Sequence, residues 1–428
     1  MNIGQKIKLQ RLKRHMTQQQ LAKGICSTSY LSKIEKNHVV PKQEIKNALF
    51  KRLDIQDSLF EIDEQTFMHN IQTAYHAVLS IQTKEHARIA YNTFYSTPIS
   101  LKNPQNFYTT NLYLCYFSII AEEPLENVQP LVNGLLAIKD NFTPYQNFLY
   151  HAIYAKFLFK QNKFEEAKSA VFKAFKVMNI DTIEEIEYAT LLVLEGQIHF
   201  RQYEHGNAFS RTRKALDIFL NNHAHEQILK TYNFLGLINL QFGNYEYALK
   251  FLNTGYDYAV QLAKKHHYGQ LLQNIGYTYA RMQESKRAIH YYRQSLKNKK
   301  DPMKQLITIH SLVKEYSKVN QTEQITKWCN YGLALINKYG LEDEARSYHF
   351  HFHIYPMLHD LDDFKPYCLE NAIQHFSAIK DDRNVQKYAL VLAEKYEALE
   401  NYKKAVSYYH LANEASFSVR AIKAWQDL

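Results

Sequence analysis

A repeat of about 40 residues is the feature that most restricts how this chain of 428 residues can fold. A glycine followed twelve residues later by an alanine occurs three times at 40-residue steps, as Gly196 with Ala208, Gly236 with Ala248, and Gly276 with Ala288. Small side chains at this spacing are needed where the two helices of a hairpin cross closely. The repeat therefore predicts a series of helical hairpins that bury their apolar faces by stacking on one another.

Weaker copies extend the repeat in both directions, at steps of 37 to 41 residues. They are Ala155 with Ala167, Val313 with Ile325, Phe352 with Phe364, and Ala393 with Ala405. Segments 74–95 and 111–136 are also predicted to be helical and to continue the stack. Only 12 glycines and 9 prolines interrupt the chain, which favours long helices with short turns over a β-rich fold.

The first 55 residues follow a different pattern. Apolar side chains at helical spacing are interrupted by turn signals near 15–17, 24–27 and 37–41. This predicts four short helices around a core of Ile7, Leu12, Leu21, Ala22, Ile25, Leu31, Ile34, Ile45, Leu49 and Leu53. Thr17 is predicted to cap a helix from Gln18, with Gln20 completing a capping box, and Ser27 to cap the next helix, over about 28–35.

Positive charge is concentrated in this amino-terminal segment. The whole chain has a formal charge of +10, and residues 1–55 hold nine Lys and three Arg against three acidic residues. A basic unit attached to a nearly neutral body suits binding to a polyanion, because each neutralised phosphate releases condensed counterions. A face that merely keeps the chain in solution would have the same charge, so charge alone leaves both interpretations open.

The helix predicted over 28–35 has two different faces. Leu31 and Ile34 would be buried, whereas Thr28, Ser29, Ser32 and Lys33 would lie on the other face. Small polar and basic groups of this kind suit the major groove of DNA. The alternatives are that these residues only face solvent, or that the basic bundle caps the repeats as a protein-interaction surface.

The string MTQQQLAKGICSTSYLSKIEKNHVVP resembles the xenobiotic-response-element, lambda-repressor-like class of helix-turn-helix domains. The resemblance implies that the helix Thr28–Glu35 reads bases, that Gln18 touches a backbone phosphate, and that Arg11 pairs with Glu35 inside the domain. Asn37 stands where the class often has glycine, and asparagine tolerates the left-handed conformation that the turn needs. The residues assigned to DNA binding are Gln18, Thr28, Ser29, Tyr30, Ser32 and Lys33.

The repeats resemble the tetratricopeptide repeat, although they are longer than its usual length of roughly 34 residues. Together with LAKGICS and LSKIE, they make the chain similar to the peptide-sensing quorum regulators of Gram-positive bacteria, the Rap, Rgg, NprR, PlcR and PrgX group, and most similar to NprR- and PlcR-like proteins. The implied fold is all-α, with a helix-turn-helix domain over 1–60 followed over 61–428 by a right-handed superhelix of tetratricopeptide-type hairpins that binds peptide and oligomerises.

The concave surface of such an array is lined by the first helix of each hairpin. Lining positions are predicted at three and two residues before each small residue, and at one and five residues after it. The residues selected for this inner surface are Gln197, Arg201, Lys230, Asn233, Gln241, Asn274, Tyr277, Arg281, His310, Lys314, His349 and His353. Amides suit a peptide backbone and cations suit a carboxylate.

Seven of these residues are assigned to peptide binding, and for each the alternative is an ordinary solvated helix position. They are Arg201, Lys230, Asn233, Asn274, Tyr277, Arg281 and His310. By the resemblance, Asn274 in the string QNIG matches an asparagine with which these sensors hold a peptide main chain.

Enzymatic, metal and membrane functions find no support in the sequence. The chain has no GxxxxGK[ST], GxSxG or glycine-rich dinucleotide motif, and no HExxH glutamate accompanies His349 and His353, which share a helical face. Four separated cysteines indicate reduced thiols. With no apolar leader and no run of 18 apolar residues, we expect a cytoplasmic protein without cofactor or metal.

These observations predict a transcriptional regulator that binds double-stranded DNA and is controlled by a short signalling peptide in its repeat domain. A homodimer is expected, because one small domain contacts too few bases for strong specificity. The rival interpretation is a repeat module that binds and inhibits a signalling protein such as a response regulator. Loss of residues 1–60 would separate the two, since only the transcriptional regulator needs them.

Overall fold

We describe the protein from a computed structural model, over residues 3–14, 16–36, 38–54, 63–97, 101–178, 183–359 and 365–420. The described residues form helices and turns without strands, which confirms the predicted all-α class. The amino-terminal helices are α1 Ile3–Lys13, α2 Gln18–Ala22, α3 Thr28–Glu35 and α4 Gln43–Arg52. Asn37 and Phe364 lie outside the described residues, as does the predicted domain boundary at 60/61.

The repeats form a regular succession of helix pairs. The pairs up to residue 221 are α5 Glu64–Ile81 with α6 Lys84–Ser96, α7 Pro104–Ala121 with α8 Leu125–Leu136, α9 Pro144–Lys160 with α10 Phe164–Val177, and α11 Glu185–Arg201 with α12 His205–Asn221. The later pairs are α13 His225–Gln241 with α14 Tyr245–Gln261, α15 Lys265–Arg281 with α16 Ser285–Lys297, α17 Pro302–Lys318 with α18 Thr322–Tyr339, α19 Arg346–His359 with α20 Pro366–Ala378, and α21 Asp382–Ala398 with α22 Tyr402–Arg420. A short 3-10 helix, Lys139–Asn141, lies between α8 and α9.

Helix starts in the amino-terminal segment follow the predicted capping. The Thr17 side chain accepts a hydrogen bond from the Gln20 backbone while the Gln20 side chain accepts one from the Thr17 backbone, which completes the capping box. Ser27 accepts a hydrogen bond from the Tyr30 backbone and caps α3. Because these side chains satisfy amides that the first helical turn leaves unpaired, they fix where α2 and α3 begin.

Most of the predicted amino-terminal core is confirmed. Its buried members are Ile7, Leu21, Ala22, Leu31, Ile34, Leu49, Phe50 and Leu53, with Ile25 and Ile45 packed against them. The prediction was wrong for Leu12, which is half-exposed and lies outside this cluster, and it missed Phe50. The cluster is centred on the inner face of α3, so the opposite face of α3 is left to solvent.

A buried ion pair joins the first and third helices, as predicted. Arg11 donates through Nε to Oε1 of Glu35 at 2.7 Å and through Nη2 to Oε2 at 2.9 Å. Its Nη1 donates to the backbone oxygen of Met16 at 2.8 Å. Both residues of the pair are less than one tenth exposed. The bidentate geometry offsets the cost of removing two charges from water.

The small repeat residues lie where paired helices cross. A Cβ added to Gly196 would lie 3.1 Å from the backbone oxygen of Ala208, and one added to Gly276 would lie 3.3 Å from that of Ala288. Both alanines are fully buried. The separation of twelve residues therefore marks a close helix crossing, as the sequence predicted.

The chain divides into two compact units, Met1–Ile238 and Asn239–Leu428, with the boundary inside α13. In the first unit, a continuous apolar core runs through the repeats from Phe67 to Ile198. In the second unit, one core extends from Ala280 to Tyr355 and another from Ile354 to Ala415.

Helix α1 has a second contact surface, on the repeat helix α8. Leu9 is fully buried, but it belongs to the repeat core instead of the amino-terminal core. Its side chain fills a notch at Gly134 on α8, where a Cβ would overlap Cδ1 of Leu9. Lys8 Nζ donates to the backbone oxygen of Ala137 at 3.0 Å. The amino-terminal helices are thus packed against the second hairpin.

Left-handed backbone conformations recur at the turns that follow many helices. Glycine occupies this conformation at Gly243 and Gly340. Other residue types occupy it at Gln82, Glu122, Asn162, Tyr203, His223, Ala263, Gln283, Asn320, Lys380 and Glu400. Such residues reverse the chain within two or three positions, but a side chain in this conformation has a steric cost.

No helix among the described residues is both long and apolar enough to span a membrane. The four cysteines, which all lie in the described part of the chain, are free thiols as predicted. Burial raises the pKa of the Cys329 thiol to about 12, so this side chain behaves as a small apolar group.

Candidate functional site

Helix α3 presents a small polar surface away from its core. Thr28, Ser29 and Lys33 are exposed, whereas Tyr30 and Ser32 are half-buried. Ser29 Oγ lies 3.1 Å from Oγ of the capping Ser27, so the two hydroxyls stand together at the start of the helix. The three exposed residues can reach an external partner without disturbing Leu31 or Ile34, which α3 buries on its other side.

Gln18 stands at the start of α2 and contacts the buried ion pair. Its Nε2 donates to Oε2 of Glu35 at 2.7 Å, and its side chain is half-buried. Glu35 therefore accepts hydrogen bonds from both Arg11 and Gln18. The position of Gln18 is set by the same carboxylate that joins α1 to α3.

The first unit contains a cavity lined by the first helices of successive hairpins, α5, α7, α9, α11 and α13. Positions of the predicted register supply six of its sixteen lining residues, and none of the seven residues predicted to bind peptide is among the sixteen. The positions three and two before the small residue and one after it are Ala152, Ile153 and Lys156 on α9, and Val193, Leu194 and Gln197 on α11, and all six line the cavity. Arg201, five residues after Gly196, is exposed at the end of α11.

Two lysines near this cavity are engaged by helix ends. Lys230 on α13 donates to the backbone oxygens of Ile81 and Gln82, at the end of α5. Lys160 donates to the backbone oxygen of Ile119 at 2.7 Å and pairs with Glu122. Ammonium groups at helix carboxyl ends satisfy carbonyls that have no intrahelical partner. Lys230, a predicted peptide contact, thus holds α5 against α13.

The predicted asparagines have different degrees of burial. Asn233, on α13 in the first unit, is half-buried. Asn274, on α15 in the second unit, is only 7% exposed. Its neighbour Gln273 accepts a hydrogen bond from Thr308 Oγ1 at 2.8 Å and so links α15 to α17.

Tyr277 and Arg281 lie one turn apart on α15, and both are exposed. The Arg281 guanidinium lies 6.0 Å from the ring centre of Tyr245, and its Nη2 lies 3.5 Å from that hydroxyl. Hydrogen bonding with Tyr277 raises the pKa of Arg281 above the already high value of a free guanidinium, so Arg281 keeps its positive charge. These residues form an exposed aromatic and cationic surface of the second unit.

His310 lies in a buried aromatic cluster. Its ring stacks on that of His351 with centroids 4.2 Å apart, and its Nε2 is buried without a hydrogen-bond partner among the described residues. Burial, followed by repulsion from His351 and Lys387, holds the pKa of His310 well below its usual range. His310 is therefore uncharged at neutral pH and would contribute a hydrogen bond instead of a positive charge.

His349 and His353 share one face of α19, as predicted, with their Nε2 atoms 3.3 Å apart. Burial lowers the pKa of both side chains, and for His353 the neighbouring His349 lowers it further. Two nitrogens so close are compatible with a hydrogen bond between neutral rings.

Sequence reasoning missed several residues of the cavity. Lys156 stands at a predicted lining position, but it is not among the residues predicted to bind peptide. Tyr116 and Thr190 also line the cavity, and they lie outside the predicted lining positions of the repeats. The register signal could have found Lys156, whereas Tyr116 depends on how α7 packs across the bundle.

Two known protein families match separate segments of the chain. Residues 7–56 match the helix-turn-helix family, and residues 227–301 match the tetratricopeptide repeat family. The first match covers α1 to α4, and the second begins in α13 and extends beyond α16.

Similar proteins extend the comparison to nearly the whole chain. The transcriptional activator NprA of Geobacillus stearothermophilus is 24% identical over 402 residues, which are 92% of this chain and 98% of that protein. The apo form of the quorum sensor NprR from B. thuringiensis has a similar fold, with a TM-score of 0.67 and 17% identity over 83% of this chain and 100% of that one.

NprR in complex with its cognate peptide NprX also has a similar fold, with a TM-score of 0.52 and 17% identity over 82% of this chain and 99% of that one. The chain therefore joins a helix-turn-helix domain to tetratricopeptide repeats and is similar along nearly its whole length to NprA and NprR, which confirms the resemblance predicted from its sequence.

Proposed function

We propose that this protein is a cytoplasmic transcriptional regulator whose binding to double-stranded DNA is controlled by a short signalling peptide held by its repeats. The observation that carries the proposal is the combination, in one chain, of an exposed polar face on α3 with a cavity lined by successive repeat helices. The similarity to a transcriptional activator over 92% of the chain supports it. In this proposal the protein acts by binding and catalyses no reaction.

DNA binding is assigned to α3 and the start of α2. The amino-terminal segment has nine Lys and three Arg against three acidic residues, which favours attraction to phosphates. Thr28, Ser29 and Lys33 are proposed to meet base edges in the major groove, with Tyr30 and Ser32 beside them. Gln18 is proposed to contact a phosphate while Glu35 positions its amide.

We expect Ser29→Ala and Lys33→Ala each to weaken binding to the specific site by roughly 1–3 kcal/mol, because each removes an exposed polar group from the face that reads bases. The specific site can be selected from a random duplex library, and affinities measured by fluorescence anisotropy. Lys297→Ala, an exposed lysine on the repeat helix α16, is the matched control. Unchanged affinity in both α3 variants would reject this helix as the DNA reader.

These point variants also separate the proposal from the rival in which the chain acts only by binding a signalling protein. Under that rival, both α3 variants should still bind and inhibit the signalling protein in the cell as wild type does. Deleting residues 1–60 would separate the two proposals less well, because removing Leu9 would also expose the Gly134 notch of α8 and disturb the repeats.

A homodimer is part of the proposal. One small domain contacts few bases, so two domains on two half-sites are needed for strong specificity. Peptide binding would then act by shifting the population among dimer geometries. Light scattering of the full chain with and without the selected duplex tests this stoichiometry.

Peptide binding is assigned to the first helices of the repeats. The proposed contacts are Arg201, Lys230, Asn233, Asn274, Tyr277, Arg281 and His310. Lys230 is the weakest of them, because its ammonium already caps α5. The fold similarity to NprR in complex with its cognate peptide supports the assignment.

We expect Asn274→Ala to weaken peptide binding by about 1–3 kcal/mol, because a peptide backbone group would lose its partner. Specific DNA affinity without peptide should be unchanged, since Asn274 belongs to the second unit. The measurement is calorimetric titration with peptide recovered from the native host. Asn337→Ala, an exposed asparagine on the second helix α18, is the control. Equal affinities of wild type and Asn274→Ala would show that the register is misassigned.

A further inference from the structure

One lysine in the cavity of the first unit has no counter-ion in the described part of the chain. Lys156 lines the cavity and makes no hydrogen bond or ion pair with any residue that the structure describes. The neighbouring Lys160 and Lys230 both donate to backbone oxygens at helix ends. Burial, followed by repulsion from Lys160 and Lys230, lowers the pKa of Lys156 to about 8. A partly desolvated ammonium without a partner is unfavourable, so an added anion would be stabilised here.

The acid that lines the same cavity does not serve as this counter-ion. Glu187 Oε1 accepts hydrogen bonds from Tyr75 at 3.0 Å and from Tyr145 at 2.8 Å, and Oε2 accepts one from the Glu184 backbone at 3.2 Å. Glu187 is only 4% exposed. Its oxygens are therefore used to join α5, α9 and α11, and the charge of Lys156 is left for a ligand.

Two hydroxyl groups in the cavity also have unused hydrogen-bonding capacity. Thr190 Oγ1 is buried without a hydrogen-bond partner among the described residues. The hydroxyl of Tyr116, which is only 6% exposed, faces the Gln82 side chain without forming a well-aligned hydrogen bond. Buried hydroxyls normally have partners, because leaving one unpaired costs about 1–3 kcal/mol. Much of the remaining wall is aliphatic, as at Leu79, Ile153 and Leu194. A complementary ligand has a negative end, hydrogen-bonding groups and an apolar side chain.

We propose that this cavity binds a carboxylate of the signalling peptide together with an adjacent aliphatic side chain, with Lys156 as the counter-ion and the Thr190 and Tyr116 hydroxyls as hydrogen-bonding partners. The inference rests on the proposed function and adds the chemistry of the ligand to it. The carboxylate can come from the carboxyl terminus of the peptide or from an acidic side chain. Both sources present the same group to Lys156, and the test distinguishes them.

The test uses the full-length chain and three small probes, which are acetyl-Gly-Leu with a free carboxylate, acetyl-Gly-Leu amide and acetyl-Asp-Leu amide. Binding is measured by ligand-observed NMR. We expect at least one of the two carboxylate probes to bind wild type at least tenfold more tightly than the neutral amide does. Preference for acetyl-Gly-Leu assigns the site to a terminal carboxylate, and preference for acetyl-Asp-Leu amide assigns it to an acidic side chain.

Lys156→Met, which keeps the side-chain length without the charge, should lose at least tenfold in affinity for the favoured probe. Lys156→Arg should retain part of the affinity, and Lys173→Met, an exposed lysine on α10, should retain all of it. Equal binding by wild type and Lys156→Met, or no binding of either carboxylate probe to wild type, would overturn the proposal.

The pH dependence gives a second readout. The charged or titratable groups around Lys156 are Lys160, Lys230, Glu187, Tyr75 and Tyr116. A bound carboxylate raises the pKa of Lys156 above its free value of about 8. Affinity should therefore be fully present below pH 8, decline as the pH rises above it, and be accompanied by proton uptake near pH 8. Lys156→Arg should lose this dependence, because arginine stays charged.

A functional comparison separates failure of this inference from failure of the proposed function. A pool of random heptapeptides with free carboxyl termini is added to wild type and to Lys156→Met while specific DNA binding is measured. A response in wild type that is lost in Lys156→Met supports both proposals. An equal response in the two proteins would overturn the role of Lys156 alone, whereas probe binding without any effect of peptides on DNA binding would overturn the proposed function.

Discussion

A Glu35→Ala variant is expected to lose specific DNA binding because its amino-terminal domain no longer folds stably. The substitution removes the acceptor of two Arg11 hydrogen bonds and of the Gln18 amide, and it leaves Arg11 with its bond to the Met16 backbone oxygen. Breaking a buried pair by removing one partner costs about 3–5 kcal/mol, because the remaining charge stays buried without compensation. A domain of about 50 residues has only a few kcal/mol of stability in total, at roughly 0.05–0.15 kcal/mol per residue.

The measurement is thermal unfolding of the isolated amino-terminal domain and of the full chain, followed by anisotropy with the selected duplex. Arg11→Ala should destabilise the domain similarly, and the double variant should cost less than the sum of the two single changes. Glu44→Ala, an exposed acid in the first turn of α4, is the control and should cost less than about 1 kcal/mol. Strict additivity of Arg11→Ala and Glu35→Ala would contradict the coupling.

Leu9→Ala is expected to destabilise the contact between α1 and α8 by about 2–5 kcal/mol, because it removes a fully buried side chain and leaves a cavity at Gly134. Leu9 lies outside the core of the amino-terminal domain, so that domain should still fold by itself. Hydrogen exchange in the full chain should consequently become faster in α1 and α8 and stay unchanged in the second unit.

Leu12→Ala, a half-exposed leucine on the same helix, provides the matched control and should leave exchange in α8 unchanged. Equal exchange rates in α8 for wild type and Leu9→Ala would show that α1 does not pack there in solution. Specific DNA affinity of the isolated domain carrying Leu9→Ala separates loss of the contact from loss of folding.

The features that the sequence predicted correctly depend on local signals. The capping residues Thr17 and Ser27 fix the starts of α2 and α3 through hydrogen bonds that span only three residues. The small residues at Gly196 and Gly276 mark helix crossings because no larger side chain fits there. These signals can be read from sequence, since they depend on neighbours at a fixed separation.

The features that were missed depend on contacts between distant segments. Leu9 follows Ile7 by two residues and so lies on a different face of α1, but nothing in the local sequence indicates that this face packs on α8. Lys156 and Lys230 are both lysines on first helices. Only Lys230 donates to backbone oxygens at the end of α5, because α5 ends close to α13. Which cation remains for a ligand is thus decided by packing across more than 140 residues of chain.

The left-handed turns are positions at which substitutions can change the thermal stability of this protein without changing the residues proposed to bind DNA or peptide. A residue such as Ala263 or Glu400 in that conformation has a steric cost of about 1–2 kcal/mol, which glycine avoids and asparagine reduces. Glycine also increases the entropy of the unfolded chain, so each exchange changes stability only slightly. Descendants adapting to warmer or colder habitats could therefore retune the array in small steps, one turn at a time, without touching α3 or the cavity.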